Sequence, residues 1–178
     1  MPAPHLGEPA AGPTRGPRTP RPVGDRYGAL MPTIAPLARA DHLEWLALWD
    51  GYLTFYETTL DAATTATTFD RLVDPGSGLH GAIARDDTGA AVGLVHWLTH
   101  PATWSRSGYC YLEDLFVAPD GRGGGTGRAL VGHVRAWAQE HGCAKVYWLT
   151  AETNATARAL YDQVATRSGM IHYQVPLG

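Results

Sequence analysis

The chain has 178 residues, enough for one folded domain, with 44% hydrophobic residues and a formal net charge of −3. This composition is typical of a globular protein and argues against a nucleic-acid-binding module. The longest uncharged stretch, 88–105, contains glycine, histidine and proline and is not a membrane span, and the N-terminus lacks an apolar signal-peptide core. Cys110 and Cys143 fit no zinc or Cys-x-x-Cys spacing. We therefore expect a cytoplasmic protein without a disulfide framework, metal or membrane partner.

Residues 1–32 contain eight of the 13 prolines and no periodic apolar pattern. A segment of this kind cannot bury enough apolar surface to offset the entropy lost on ordering. We predict a disordered tail over 1–32 and one domain over 33–178. The tail has four arginines against two acidic residues, whereas the domain has an acidic excess that is compatible with a cationic small molecule.

The predicted elements begin with a short strand over 33–36 and a helix from Asp41, a candidate N-cap, to Tyr56. They continue with a helix over 61–73, a hairpin of strands 80–85 and 91–99, a strand over 109–117, a helix over 125–141 ended by Gly142, a strand over 145–150, a helix over 154–165 and a last strand over 171–175. The order β-αα-βββ-α-β-α-β predicts a mixed α/β fold with one sheet.

A glycine-rich segment, Val117-Ala-Pro-Asp-Gly-Arg-Gly-Gly-Gly-Thr-Gly-Arg128, joins the strand over 109–117 to the helix that follows it. Glycines let a backbone approach a ligand closely or adopt positive φ. The free N–H groups and dipole of a helix start favour an anion, and Arg122 and Arg128 add forked donors suited to phosphate. The segment therefore predicts a phosphate or pyrophosphate site, with a flexible glycine hinge as the alternative.

The sequence of this segment does not match two common phosphate-binding loops. A P-loop would close with Gly-Lys-Ser/Thr, which is absent, and a dinucleotide loop that used Gly123 and Gly125 would need glycine where Arg128 stands. The spacing Val-x-Pro-x-x-Arg-Gly-x-Gly-x-Gly, filled by 117–127, instead resembles the acetyl-CoA signature of the GNAT superfamily of N-acetyltransferases. The order of elements from Thr33 onward resembles that fold as well.

The resemblance implies a mostly antiparallel mixed sheet with helices on both faces, and acetyl-CoA as co-substrate. Backbone groups of Leu115, Phe116 and Val117 would pair with the pantetheine arm, and Asn154 would contact the cofactor. The pyrophosphate would be held by the glycine-rich cradle, whose members are Arg122, Gly123, Gly124, Gly125, Thr126, Gly127 and Arg128.

Amine acetylation needs a base for the attacking nitrogen and an acid for the departing thiolate. Glu113 and Asp114 lie within an otherwise apolar strand, where a carboxylate is costly without a partner or a role. Alternation predicts Glu113 on one face with Tyr111, Leu115 and Val117, and Asp114 on the other face with Leu112 and Phe116. Either carboxylate is a candidate base, and a structural ion pair is the alternative for each.

Tyr161 shares one helix face with Ala157, Leu160 and Val164, so it is either a core tyrosine or a catalytic group. The text 154–161 resembles the final-helix motif of the family, which implies that Tyr161 is the general acid. The run Tyr111-Leu-Glu-Asp-Leu-Phe-Val117 is similar to the diamine (spermidine/spermine) acetyltransferase branch, which favours Glu113 as base and Asp114 as amine ligand.

Further residues are assigned to the acceptor side. Trp104 in the loop before the strand over 109–117, and Tyr52 and Tyr56 late on the first helix, could wall the acceptor groove, with packing or exposure as equal alternatives. Glu152 lies in a stretch, 151–154, that resembles the sequence of the diamine branch just before its last helix. His96 and His100 are assigned to ordinary packing or loop roles.

The acceptor itself is left open by two conflicting resemblances. The stretch 160–165 resembles the histone-and-other-protein acetyltransferase branch, whereas Tyr111–Val117 resembles the diamine branch. The leading hypothesis is direct transfer to a primary amine of a small cationic acceptor, polyamine or amino-acid-like. The alternatives are a protein lysine or N-terminal acetyltransferase and a non-catalytic acyl-CoA-binding domain. Many relatives form dimers, so a homodimer is a further implication of the resemblance.

Overall fold

Five strands form one sheet in the computed structural model, which describes residues 31–177. They lie side by side in chain order: β1 (Thr33–Pro36), β2 (Leu79–Arg85), β3 (Ala91–His100), β4 (Tyr109–Val117) and β5 (Val146–Tyr147). The first four pair antiparallel, and β5 joins β4 in parallel. The helices are α1 (His42–Phe55), α2 (Ala62–Leu72), α3 (Thr126–Glu140) and α4 (Ala155–Val164). The predicted α/β class and mostly antiparallel sheet are confirmed. Of the tail predicted over 1–32, residues 1–30 lie outside the described residues.

The helices bury apolar side chains against both faces of the sheet. On one face, α1 and α2 contribute Trp45, Leu48, Trp49, Leu53, Phe69 and Leu72, which pack with Ile83, Leu94 and Phe116 of the strands. On the other face, α3 contributes Leu130, Val131, Val134 and Ala138, and Tyr161 and Val164 of α4 pack against the margin of that cluster. Each fully buried leucine, valine or phenylalanine contributes about 1.5–3 kcal/mol. β4 therefore lies between two packed layers.

Capping residues begin the helices near the predicted positions. The Asp61 carboxylate accepts a hydrogen bond from the backbone N–H of Thr64 at 2.7 Å and caps α2, which begins where the helix over 61–73 was predicted. Asp41 precedes α1, but its side chain does not cap that helix. One of its oxygens accepts from the N–H of Ala38 at 2.8 Å and the other pairs with Arg85 at 2.8 Å, because a short 3₁₀ turn precedes α1. The predicted cap is therefore wrong in detail, although the helix begins where it was expected.

The last strand, predicted over 171–175, is not observed. Residues 166–177 form neither helix nor strand, and β5 covers two residues instead of the predicted six. A strand needs a hydrogen-bonding neighbour, and the described residues place none beside this segment. Its large apolar side chains are 75–96% exposed: Met170, Ile171, Tyr173, Val175 and Leu177.

Candidate functional site

The candidate site lies where β4 and β5 separate. The two parallel strands pair only at Cys110 with Val146 and at Tyr111 with Tyr147. Beyond Tyr111, β4 continues to Val117 while remaining paired with β3 on its other side. Among the described residues, Leu115, Phe116 and Val117 therefore have no strand beside them on the β5 side. A free strand edge of this kind can hydrogen-bond an extended ligand.

A β-bulge at Glu113 sets the direction of the side chains at this opening. His96 of β3 pairs with Asp114, whereas the next residue, Trp97, pairs with Leu112, so Glu113 is an extra residue in β4. The predicted strict alternation is wrong for this reason. Leu112 packs in the α3-side cluster while Phe116 packs in the α1-side cluster.

Glu113 is open to solvent, and its pKa is nevertheless raised. Partial desolvation by the surrounding protein is the main cause, and the negative charge of Asp114 adds to it. A raised pKa strengthens a carboxylate as a proton acceptor near neutral pH, since its conjugate acid is weaker. Glu113 therefore has the exposure and the basicity that a proton acceptor needs.

Asp114 lies beside the last turns of α1. Burial is the main cause of the raised pKa of Tyr52 and of Tyr56, and in both the next contribution is the negative charge of Asp114. The rings of the two tyrosines lie 4.9 Å apart. The structure thus brings the predicted acceptor residues Asp114, Tyr52 and Tyr56 together.

Tyr161 approaches the same region from α4. Burial raises its pKa to about 12, with a smaller contribution from Tyr56. Its ring contacts Trp148 edge-on at a centroid distance of 5.2 Å. A phenol with this pKa keeps its proton throughout the physiological range, so Tyr161 is in the protonated form that a general acid needs.

The glycine-rich loop has the backbone conformation that its sequence indicates. Gly123 and Gly125 adopt φ of 83° and 88°, in the left-handed region that favours glycine. A Cβ atom added at Gly123, Gly124 or Gly125 would meet no protein atom within 4 Å. Protein packing therefore does not require small residues here, and the open space lies directly at the N-terminus of α3, where a helix favours an anion.

Hydrogen bonds anchor the loop at its ends. The buried hydroxyl of Thr126 donates to the carbonyl of Gly121 at 3.0 Å, and Arg122 Nε donates to the carbonyl of Val117 at 3.0 Å. Arg128 binds Gln163 of α4 at 2.5 Å. At Gly127 an added Cβ would lie 3.1 Å from Leu160, so this glycine allows α4 to approach α3. The open cradle, the free edge of β4 and two arginines together fit a long, phosphorylated, extended molecule such as coenzyme A.

The other predicted site residues lie around this centre with mixed roles. Asn154 is the N-cap of α4, and its side-chain oxygen accepts from the N–H of Ala157 at 3.2 Å. Glu152 pairs with Arg167 at 3.2 Å on the surface. Trp104 is 90% exposed and belongs to none of the aromatic pairs found in residues 31–177. Their contacts with ligands stay predictions.

Sequence reasoning missed one part of the site. His96 was assigned to ordinary packing, but it is buried at 1% exposure and links Trp45 of α1 to Asp114 of β4. The signal was available in the strand text, since a lone polar residue within the apolar run Val92–Trp97 needs a partner when buried.

No group of three or more histidine, cysteine or acidic side chains is arranged to hold a metal ion in residues 31–177. Within the same range, no helix has the length and apolar character needed to cross a bilayer.

Comparison with known proteins gives a consistent result. Residues 44–165 match the profile of the Acetyltransferase (GNAT) family. The chain is 37% identical over 135 residues to the D-amino-acid N-acetyltransferase HPA3 of Saccharomyces cerevisiae, an alignment that covers 75% of this chain and 84% of the relative.

Solved structures share the fold at lower identity. A ribosomal-protein-alanine N-acetyltransferase from Brucella melitensis superposes with a TM-score of 0.67 at 22% identity, covering 82% of this chain and 99% of the other. The aminoglycoside acetyltransferase AAC(6')-Iy, in complex with the bisubstrate analogue CoA-S-monomethyl-acetylneamine, superposes with a TM-score of 0.71 at 16% identity, covering 83% and 99%.

Proposed function

Since the chain belongs to the Acetyltransferase (GNAT) family and is an N-acetyltransferase, we propose that it transfers acetyl from acetyl-CoA directly to a primary amine of a small cationic acceptor. The observation that carries the proposal is the position of Glu113 and Asp114 beside the tyrosines of α1, at the point where β4 and β5 separate. An amino-acid-like acceptor is favoured by the relative named for D-amino acids, and a polyamine remains the other candidate within this class.

Acetyl-CoA supplies the activated acetyl thioester, and the chain holds it along β4 and the glycine-rich loop. The backbone of Leu115, Phe116 and Val117 pairs with the extended pantetheine arm on the free side of β4. N–H groups at residues 123–128 bind the pyrophosphate, with Arg122 and Arg128 adding positive charge. Asn154 contacts the arm from the start of α4 through its amide group.

Glu113 and Tyr161 handle the protons. Glu113 accepts a proton from the acceptor ammonium, through water where the distance requires it, and the free amine attacks the acetyl carbonyl carbon. The carbon–sulfur bond breaks and Tyr161 protonates the departing thiolate. The nitrogen then gives its second proton to the Tyr161 phenolate, which restores the phenol, and Glu113 releases its proton to solvent. Asp114 binds the ammonium before transfer, and Tyr56, Trp104 and Glu152 contribute to the acceptor side of the site.

The test of this function is a panel of acceptors with acetyl-CoA, assayed by thiol release. The rate of thiol release should differ clearly among D- and L-amino acids, diamines, polyamines and a lysine peptide. Small cationic amines should be the best substrates. Glu113→Gln and Tyr161→Phe should each lower kcat about 100-fold, the usual contribution of a general base or acid. Glu140→Gln and Tyr109→Phe, which lie outside the site, are the matched controls.

Three results would contradict the proposal. Unchanged turnover in both site variants would remove the assigned roles of Glu113 and Tyr161, although not the family. A preference for the lysine peptide over every small amine would transfer the assignment to the protein-acetyltransferase class. Acetyl-CoA binding without transfer to any amine would favour a non-catalytic domain.

We also propose that the chain forms a homodimer through its C-terminal segment. Ile171, Tyr173, Val175 and Leu177 alternate with His172, Gln174 and Pro176, the pattern of a half-buried strand. All four apolar side chains are at least 75% exposed. The short β5 is the end of the sheet and has an open edge, so a segment from a second copy can pair with it and cover these side chains.

A further inference from the structure

Three side chains form a hydrogen-bonded chain from the α1-side core to the candidate acceptor site. The Nε1 atom of Trp45 lies 3.0 Å from Nε2 of His96, and Nδ1 of His96 lies 2.9 Å from Oδ2 of Asp114. Trp45 and His96 are 0% and 1% exposed, whereas the side chain of Asp114 is 15% exposed. The chain therefore begins in the dry core and ends on a carboxylate that reaches the cleft.

The first hydrogen bond determines where the proton of His96 lies. An indole N–H can only donate, so Nε2 of His96 must accept. The single proton of the neutral ring is then on Nδ1, which donates it to Asp114. A proton on Nε2 would direct two donors at each other across 3.0 Å in a buried site. The geometry thus specifies one tautomer of the neutral ring.

The tautomer has a consequence for the charge of the site. An imidazolium next to Asp114 would neutralise its carboxylate, whereas a neutral donor orients one oxygen and leaves the negative charge in place. The carboxylate thus keeps its charge on the side that faces the tyrosines of α1, where the side chain of Tyr52 also contacts it. A fixed carboxylate with an undiminished charge is what recognition of an ammonium group needs, because a mobile or neutralised one loses most of its attraction in water.

We propose that Trp45 and His96 are positioning residues that hold Asp114 as an oriented, ionised ligand for the ammonium group of the acceptor. This inference rests on the proposed cationic acceptor and extends it to two residues that touch neither substrate. The titratable groups that face this chain from the packed elements are Tyr52 and Tyr56 of α1, Tyr111 and Glu113 of β4, and His42, which stacks on Trp45.

The structure offers a matched control in Trp49. Its ring stacks on that of Trp45 at 5.7 Å, it is 5% exposed, and it also lies 5.4 Å from the His96 ring. Its buried Nε1, however, makes no hydrogen bond within the described residues. Trp45→Phe and Trp49→Phe therefore remove similar volumes from the same cluster, but only the first removes a donor to His96.

The experiment combines kinetics with NMR. At pH 7, Trp45→Phe should raise the KM of the best cationic amine at least tenfold, because His96 can then change its tautomer and no longer holds Asp114 in one orientation. The Kd of acetyl-CoA should not change, and the KM of an aromatic amine, which is uncharged at this pH, should change little. Trp49→Phe should leave both values as in the unsubstituted protein.

NMR of protein labelled with ¹⁵N in histidine tests the tautomer directly and needs no activity. In the unsubstituted protein at pH 7, Nε2 of His96 should be unprotonated and Nδ1 protonated. In Trp45→Phe the fraction of the tautomer with the proton on Nε2 should rise, and in Trp49→Phe it should not. His96→Gln assigns the resonance and separates it from that of His42.

The outcomes separate this inference from the proposed function. A protonated Nε2 in the unsubstituted protein, or equal behaviour of the two tryptophan variants, would overturn the positioning role. If no cationic amine is acetylated, the proposed function fails, and NMR then decides whether the tautomer is as assigned. If Trp45→Phe does not fold, the unsubstituted protein and His96→Gln still decide, since His96→Gln should raise the KM of the cationic amine equally at every pH.

Discussion

The region from β4 to α3 and the region from β5 to the C-terminus differ in how completely they are packed. β4 pairs with β3 along its length, and α3 buries five residues against the sheet. By contrast, β5 has two residues, no residue of α4 is fully buried, and residues 166–177 have no regular structure. The first region is thus packed against other elements of the same chain, whereas the second has exposed surfaces that a ligand or another chain can cover.

This difference matches the division of labour proposed for the site. The donor side needs a rigid cradle, because N–H groups must stay aimed at a pyrophosphate without losing order on binding. The acceptor side combines Asp114, fixed through the buried His96, with Tyr161 on the less packed α4. Substitutions on the donor side should therefore act on acetyl-CoA binding, and substitutions at the C-terminus should act on assembly.

The largest effect is expected in the cradle. Gly123 and Gly125 have φ of 83° and 88°, and alanine in this conformation costs about 1–2 kcal/mol. Each 1.4 kcal/mol is a factor of ten in affinity, so the double variant Gly123→Ala/Gly125→Ala should weaken acetyl-CoA binding about 100-fold. Titration calorimetry with acetyl-CoA measures this effect.

Gly124→Ala is the control for the cradle. Its φ is not in the left-handed region, and an added Cβ meets no protein atom within 4 Å. This variant should bind acetyl-CoA within about threefold of the unsubstituted protein, since no strain is introduced. Equal loss in both variants would mean that bulk in the loop, and not backbone conformation, limits binding.

An intermediate effect is expected at the C-terminus. Burying an isoleucine contributes about 1.5–3 kcal/mol, so Ile171→Asp should raise the dissociation constant of the proposed dimer at least tenfold. His172→Asp places the same charge at a polar position of the alternating pattern, on the opposite face of a strand, and should have a much smaller effect on the dissociation constant. Sedimentation velocity over a concentration series checks both, and a monomer at every concentration in the unsubstituted protein would contradict the dimer.

The same two regions explain what the sequence could and could not predict. β4 was predicted with its observed bounds because its apolar sequence, its flanking residues and its pairing in the sheet all favour the same strand. The bulge at Glu113 was not predictable, since it depends on the register with β3 and not on the residues of β4 alone. For 171–175 the alternation was correct as a pattern, but pairing is a property of the neighbour, and the described sheet ends at β5.

Within the site, residue types were easier to predict than connections. The glycine spacing predicts the cradle, and the two carboxylates are candidates because they lie within an apolar strand. Tyr161 is a candidate acid through the resemblance of its helix to the family motif. The contact between Trp45 and His96 joins residues 51 positions apart, and no local periodicity reports a contact of that kind. Such hydrogen bonds become visible only when α1 is packed on the sheet.

The smallest effect concerns the stability of the donor-side strand itself. The pKa of Glu113 is raised in the folded protein, so the folded state binds more protons than the unfolded state around that pKa. The free energy of unfolding must then fall as the pH rises through this range, which means that ionised Glu113 destabilises the fold slightly. Glu113→Gln should therefore be more stable than the unsubstituted protein at pH 7 and equal to it near pH 4, where the unsubstituted side chain is largely protonated. Because the side chain is open to solvent, the gain in the free energy of unfolding should be small.

Urea unfolding at both pH values measures this gain, with Glu140→Gln as control. A loss of stability at pH 7 would mean that Glu113 is part of a structural ion pair, and would count against its role as the base.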